Sequence, residues 1–307
     1  MDVMYGQSVR YAQRMSADLV QGGRVVAITG GGRGIGLATA RVLVGRSNRV
    51  AIGDVDLDVA EAAAAALGPG AVAFPLDVTD EASFVKFVAA VEERFGPVDV
   101  LVNNAGIMPI GPFLDEAPST ADRALAINLG GCLTGMRAAL PGMIARGTGH
   151  VLNVASVAGK SPVPGGLTYA ATKAAVISAT ESARVEFAGT GVVFTCVMPS
   201  FTNTDIIAGT KGTRFVKNVE PEDVGTAIAD AIAKPRHDVY VPSAVGAIVK
   251  VTPLIGRRMR DATNHAIGAD RAFLDIDQSA RVGYEQRIAA PTVPSQLTAP
   301  AEHVDRP

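Results

Sequence analysis

The chain has 307 residues, 48% of them apolar and 19% charged, with a formal net charge of −2. That apolar fraction supports a large core, and so even a charge balance offers no polyanion surface, which excludes nucleic acid as a partner. The only two cysteines, Cys132 and Cys196, are too few for a disulfide framework and lack metal-site spacing, so they read as small buried thiols, with no metal site and a reducing, cytoplasmic setting.

Residues 1–23 read as an arm in which Val9, Ala12, Met15 and Leu19 recur three to four apart, the spacing of a short packed helix. The arm lacks the unbroken apolar core of a signal peptide, and no window of about 18 consecutive apolar residues predicts a membrane span. From there, β-branched runs at 24–29, 49–54, 71–78, 98–103, 149–156 and 192–198 alternate with Ala-rich helical stretches at 35–45, 58–68, 81–96, 119–146 and 167–188. A helix over 221–234 precedes a short strand over 238–242. Apolar strands alternating with helices predict an α/β fold: a single doubly wound parallel sheet with helices on both faces. The organisation is an arm (1–23), one domain (24–242), a helical C-terminal extension (243–288) and a Pro/Ser/Thr-rich tail (289–307) with disordered composition.

Between the first strand and first helix lies "TGGGRGIG", residues 29–36. Gly30, Gly34 and Gly36 allow a tight turn and close approach of a pyrophosphate to the helix N-terminus, with Arg33 and Ile35 in the same loop. Asp54 closes the next strand, where a carboxylate accepts from a ribose diol and repels a 2′-phosphate. Arg33 argues the other way, because a base in this loop could contact a 2′-phosphate. The carboxylate is the more direct penalty, so NAD is expected and NADP is disfavoured.

The stretch "YAATK" puts Lys173 one helical turn after Tyr169, on the same face. A free phenol titrates near ~10 and is a poor base at neutral pH. An ammonium within several ångströms, beside a positive nicotinamide, favours the phenolate and would bring it toward working pH.

The glycine loop, "NNAG" at 103–106, Ser156 and "YAATK" stand in one order that resembles the short-chain dehydrogenase/reductase family over roughly residues 24–242. The resemblance implies an NAD(P)-dependent oxidoreductase acting on CH–OH groups. Tyr169 would be the acid/base, Ser156 would orient the substrate oxygen, and Asn128 would anchor a water in the proton path. Lys173 would hold the nicotinamide ribose and depress the phenol. Asp77 and Val78 match the adenine position, Asn104, Ala105 and Gly106 the loop under the adenosine ribose, and Pro199, Thr202 and Thr204 further cofactor positions. The chain departs from the family at "MPSFTNTDI", where Ser200 replaces a glycine and the backbone angles are in question.

Three segments should line the substrate end: 107–111, 157–166 and 199–218, the last with Phe201, Ile206, Ile207, Phe215 and Val216. They are mostly apolar, and Lys160 reads as solvated, so a small hydrophobic alcohol or ketone is expected: a sterol, a retinoid-like or an aliphatic secondary alcohol. Alternatives are an NADPH-dependent carbonyl reductase and a non-catalytic NAD-binding or sensing protein, against which all four of Asn128, Ser156, Tyr169 and Lys173 argue. The extension 243–288 suggests a lid that also touches a membrane surface, or, more simply, helices packing on the domain or a partner. The resemblance implies a homodimer or homotetramer paired through 119–146 and 167–188.

Overall fold

The computed structural model describes residues 23–210, 218–252, 255–268 and 270–289. The arm helix, Phe215 and Val216 of the substrate loop, and the tail beyond 289 lie outside these residues. Seven strands form one parallel sheet in the order β3-β2-β1-β4-β5-β6-β7. They are β1 (Val25–Thr29), β2 (Arg49–Asp54), β3 (Ala71–Pro75), β4 (Val100–Asn103), β5 (Gly149–Val154), β6 (Val192–Pro199) and β7 (Asp238–Val241).

The sheet is covered on one face by α1 (Gly34–Gly45), α2 (Leu57–Leu67) and α7 (Pro221–Ala233), packed on Val26, Ile28, Ile52 and Leu152. On the other lie α3 (Glu81–Phe95), α5 (Gly131–Arg146) and α6 (Leu167–Glu186), packed on Leu101, Val151 and Phe194. Strands buried on both faces carry no polar alternation, which is why the runs read as continuous apolar segments. Strand order reverses between β1 and β4, so the crevice at their carboxyl ends is where a doubly wound sheet receives ligands.

Two differences from the sequence reading bear on the site. The stretch expected as one helix over 119–146 is α4 (Pro118–Leu125), a π turn (Ala126–Gly130) and α5, so the chain bends where Asn128 sits. Strand β3 stops at Pro75 because the Asp77 carboxylate turns back to accept from the Thr79 amide (2.9 Å) and hydroxyl (2.7 Å). Beyond β7 the extension forms α8 (Ser243–Val251), α9 (Arg257–Ile267) and α10 (Gln278–Ala289). Both cysteines are buried, and burial pushes each thiol up to about 12.

Candidate active site

The glycine loop is shaped by contacts that only glycine permits. Gly30 has φ +62°, and a Cβ on Gly36 would lie 2.2 Å from the Gly30 carbonyl oxygen. The Thr29 hydroxyl accepts from the Asn104 and Ala105 amides, both at 3.0 Å, and Asn104 Nδ2 donates to the Thr29 and Gly30 carbonyls at 3.0 Å each. The β4 loop is thereby fixed against the glycine loop. No side chain caps the N-terminus of α1, and its first turn holds no acid. Its free amides and positive dipole end therefore fit a pyrophosphate, and Thr204 closes over Gly34, whose Cβ would lie 3.2 Å from the threonine methyl. Ile35 packs at the edge of the core beneath this turn.

Asp54 ends β2 and accepts from the Gly32 amide at 3.0 Å and the Asp56 amide at 3.2 Å. Arg33 is turned onto Asp56, 2.5 Å away. Its charge is matched by an acid of the same turn, which weakens its claim on a 2′-phosphate. Asp77 folds onto Thr79 as described, and Val78 is buried against Gly131. Pro199 ends β6, the Thr202 hydroxyl donates to the Ser200 carbonyl at 3.0 Å, and the Thr204 hydroxyl donates to the Thr202 carbonyl at 3.4 Å. Among the described residues only Ser47 has a positive φ without being glycine, so Ser200 fits where the family has glycine without backbone strain. Its hydroxyl is buried with no partner among the described residues.

The four expected catalytic residues converge from three elements. Helix α6 presents Tyr169 and Lys173 one turn apart, with Lys173 Nζ 5.8 Å from the Tyr169 ring centroid. Nζ is buried and donates to the Val154 carbonyl at 2.9 Å. Ser156, just past β5, accepts from the Ala158 amide at 3.1 Å, donates to the Pro199 carbonyl at 3.4 Å, and acts to lower the Tyr169 phenol. Asn128, buried in the π turn, donates through Nδ2 to the Ile107 carbonyl and the Thr172 hydroxyl, both at 2.9 Å, and accepts from the Ile107 amide at 2.8 Å. A Cβ on Gly106 would lie 3.2 Å from Asn128 Oδ1 and 3.4 Å from Lys173 Nζ, so the β4 loop reaches the same place.

On balance, the protein's own groups do not by themselves lower the phenol. Burial pushes the Tyr169 phenol up to about 12, against a smaller lowering by Ser156, and pushes the Lys173 ammonium down to about 8. Burial disfavours both charged forms, so the protein's own groups leave the phenol protonated.

Sequence reasoning missed several participants. Thr172 lies three residues after Tyr169 on the same helix face, donates to the Tyr169 carbonyl at 2.7 Å and receives Asn128, so helical spacing could have found it. Thr29 accepts from the Asn104 and Ala105 amides of the β4 loop, and Asp56 accepts from the Val59 amide and pairs with Arg33. Arg281 and Tyr284 reach the Met108 peptide from α10, and nothing in their local sequence signals a partner more than 170 positions away.

The profile of the short chain dehydrogenase family matches residues 24–214. The chain is 43% identical to sorbitol dehydrogenase of Cereibacter sphaeroides over 178 residues, 58% of this chain and 70% of that protein. It is 41% identical to galactitol 2-dehydrogenase of Agrobacterium fabrum over 177 residues, 57% of this chain and 69% of that protein. A short chain dehydrogenase/reductase from Burkholderia phymatum, solved in complex with NAD, superposes with a TM-score of 0.69 at 27% identity, covering 75% of this chain and 93% of that one. Among the described residues no helix is long and apolar enough to cross a membrane. The chain therefore belongs to the short-chain dehydrogenase/reductase family, and it is an oxidoreductase acting on CH–OH groups.

Proposed function

We propose that this chain oxidises a hydrophobic secondary alcohol with NAD⁺, with Tyr169 as the proton acceptor. The observation that carries the reading is the convergence of Tyr169, Ser156 and the buried Lys173, with Nζ 5.8 Å from the Tyr169 ring centroid and Ser156 acting to lower the phenol. Bound NAD⁺ supplies the hydride acceptor. Ser156 orients the substrate oxygen, and Tyr169 takes its proton as the carbonyl forms. Lys173 holds the cofactor's ribose hydroxyls, and its positive charge favours the phenolate. Asn128 keeps the β4 loop closed on Lys173 and sits where a proton-carrying water can be held.

The cofactor end would be held by Gly30, Gly34 and Gly36 with the α1 amides at the pyrophosphate, and by Asp54 at the adenosine ribose. Asp77 and Val78 would flank the adenine, Asn104 to Gly106 the adenosine ribose, and Pro199, Thr202 and Thr204 the nicotinamide half. The Arg33–Asp56 pair supports NAD over NADP, since Arg33 would then be less available to a 2′-phosphate while Asp54 would repel one. The relative from Burkholderia phymatum solved with NAD supports the same choice.

Phe201, Ile206 and Ile207, with Phe201 stacked on Phe273, would make the loops around the substrate end apolar, which favours a hydrophobic alcohol. A polyol is the second reading, favoured by the identity of 43% to a sorbitol dehydrogenase. Purified protein assayed for NAD⁺ reduction against steroid, retinoid, aliphatic and polyol substrates, then with NADP⁺, separates these. Turnover of the hydrophobic alcohols with NAD⁺ supports the proposal. Turnover confined to polyols transfers it to the second reading, and NAD⁺ binding without any turnover contradicts both.

A further inference from the structure

The three segments expected to line the substrate end are all gripped by one stretch of the C-terminal extension. At 107–111, the Met108 peptide is held on both sides: its amide donates to the Tyr284 hydroxyl at 2.7 Å, and its carbonyl accepts from the Arg281 guanidinium. At 157–166, a Cβ on Gly165 would lie 2.6 Å from the Phe273 backbone, so the two chains touch directly. At 199–210, Phe273 stacks on Phe201 at 5.1 Å, the Asp277 amide donates to the Gly209 carbonyl at 2.8 Å, and Arg281 donates to the Ile206 and Ala208 carbonyls at 2.8 and 3.2 Å.

Arg281 is the centre of this arrangement. It heads the largest fully buried side chains, at 1% exposure, although a charge of this kind is rarely buried without a strong reason. Its carboxylate partner, Glu285, is 44% exposed and lies on the same helix, one turn on. The remaining bonds go to main-chain carbonyls of two separate loops, and the guanidinium lies 4.5 Å over the Tyr284 ring. Four of its five donors are thereby used, so it is not a receptor for a substrate carboxylate or phosphate. A planar fork that bonds carbonyls from both loops fixes the distance between them, which a lysine cannot do.

We infer that α10 and residues 270–277 form the outer wall of the substrate pocket, with Arg281 as the positioning residue that ties the loops at 107–108 and 205–210 and so limits substrate size. The grip extends to the reacting groups through one peptide: Ile107, next to Met108, is held by Asn128, which bonds Thr172 and through it the Tyr169 carbonyl. The size-limiting part rests on the proposed alcohol oxidation. The tie itself does not.

The test compares the full chain with Arg281→Met and with Tyr284→Phe, which removes a single oxygen and keeps the ring. Hydrogen exchange is read first. In Arg281→Met the amides of Met108, Ala208, Thr210 and Asp277 should exchange at least about tenfold faster while the sheet stays protected. In Tyr284→Phe the Met108 amide should accelerate. Unchanged exchange at these amides in both variants overturns the tie. Kinetics follow, on straight-chain secondary alcohols of increasing length. KM should rise about tenfold in Arg281→Met, the preference among chain lengths should flatten, and NAD⁺ affinity should stay within about twofold. Faster exchange with an unaltered preference overturns the size limit. A wild-type chain that turns over no alcohol refutes the proposed reaction instead, and the exchange result still decides the tie.

Discussion

Lys173 and Tyr169 share one face of α6 yet do not neutralise each other: Nζ lies 5.8 Å from the ring centroid and gives its hydrogen bond to the Val154 carbonyl at 2.9 Å. Burial pushes the phenol up to about 12 and the ammonium down to about 8. A positive nicotinamide beside this pair would move the phenol in the opposite direction. Near-ultraviolet titration of wild type minus Tyr169→Phe should therefore show no phenolate from Tyr169 at about pH 10 in the free protein, and a phenolate at lower pH once NAD⁺ is saturating. A phenolate already present near neutral pH without cofactor would contradict the burial argument.

Asp54 and Arg33 make separable predictions. Replacing Asp54 with Ser removes a carboxylate that would face a 2′-phosphate, so NADP⁺ use should rise relative to NAD⁺ by about ten- to hundredfold, equivalent to about 1.4–2.8 kcal/mol. Arg33→Ala should shift the same ratio by less than about threefold, because its charge is already paired with Asp56 at the surface. Steady-state kcat/KM with both cofactors checks both, and a larger effect from Arg33 than from Asp54 would reverse the assignment.

His150 sets an acid limit on stability. Its Nε2 lies 2.8 Å from the Thr195 hydroxyl, which itself donates to the Arg236 carbonyl, so Nε2 carries the proton and the ring is neutral. Burial, with smaller effects from Arg24 and His237, pushes it from 6.5 down to about 3. The unfolded chain takes up a proton below 6.5 that the folded chain refuses, so this stability is complete above 6.5 and is lost as pH falls toward about 3. The loss is about 1.4 kcal/mol per pH unit within that window. Urea unfolding at several pH values should give a shallower acid slope for His150→Gln, by about one proton. Equal slopes would contradict it.

Much of this was legible before any coordinates. The β-branched runs and the helices between them are local signals, and the strands fell where those runs predicted, because a strand buried on both faces must be apolar throughout. Tyr169, Ser156 and Lys173 were visible because a helical turn and a strand end fix their relative positions. The π turn at 126–130 was not legible: an Ala- and Leu-rich stretch has no local reason to change its hydrogen-bond register, and the bonds of Asn128 to Ile107 and Thr172 are long-range. Arg281 was hidden for the same reason, since its acceptors are backbone carbonyls that any residue supplies.

Ser200 offers a small test of how the chain tolerates its departure from the family. Its hydroxyl is buried with no partner among the described residues, so Ser200→Ala should be neutral or stabilising by up to about 1 kcal/mol. Thermal unfolding checks this. A loss of several degrees would mean that the hydroxyl has a partner.

The central claim is that the Tyr169 hydroxyl carries the proton of an alcohol oxidation. The most direct measurement is NAD⁺-dependent turnover of wild type and Tyr169→Phe side by side, with NAD⁺ binding measured on both. The account predicts that binding is retained while kcat/KM falls by about 10²- to 10⁴-fold or to background. Turnover within about threefold of wild type in Tyr169→Phe would contradict it and move the proton transfer to another group.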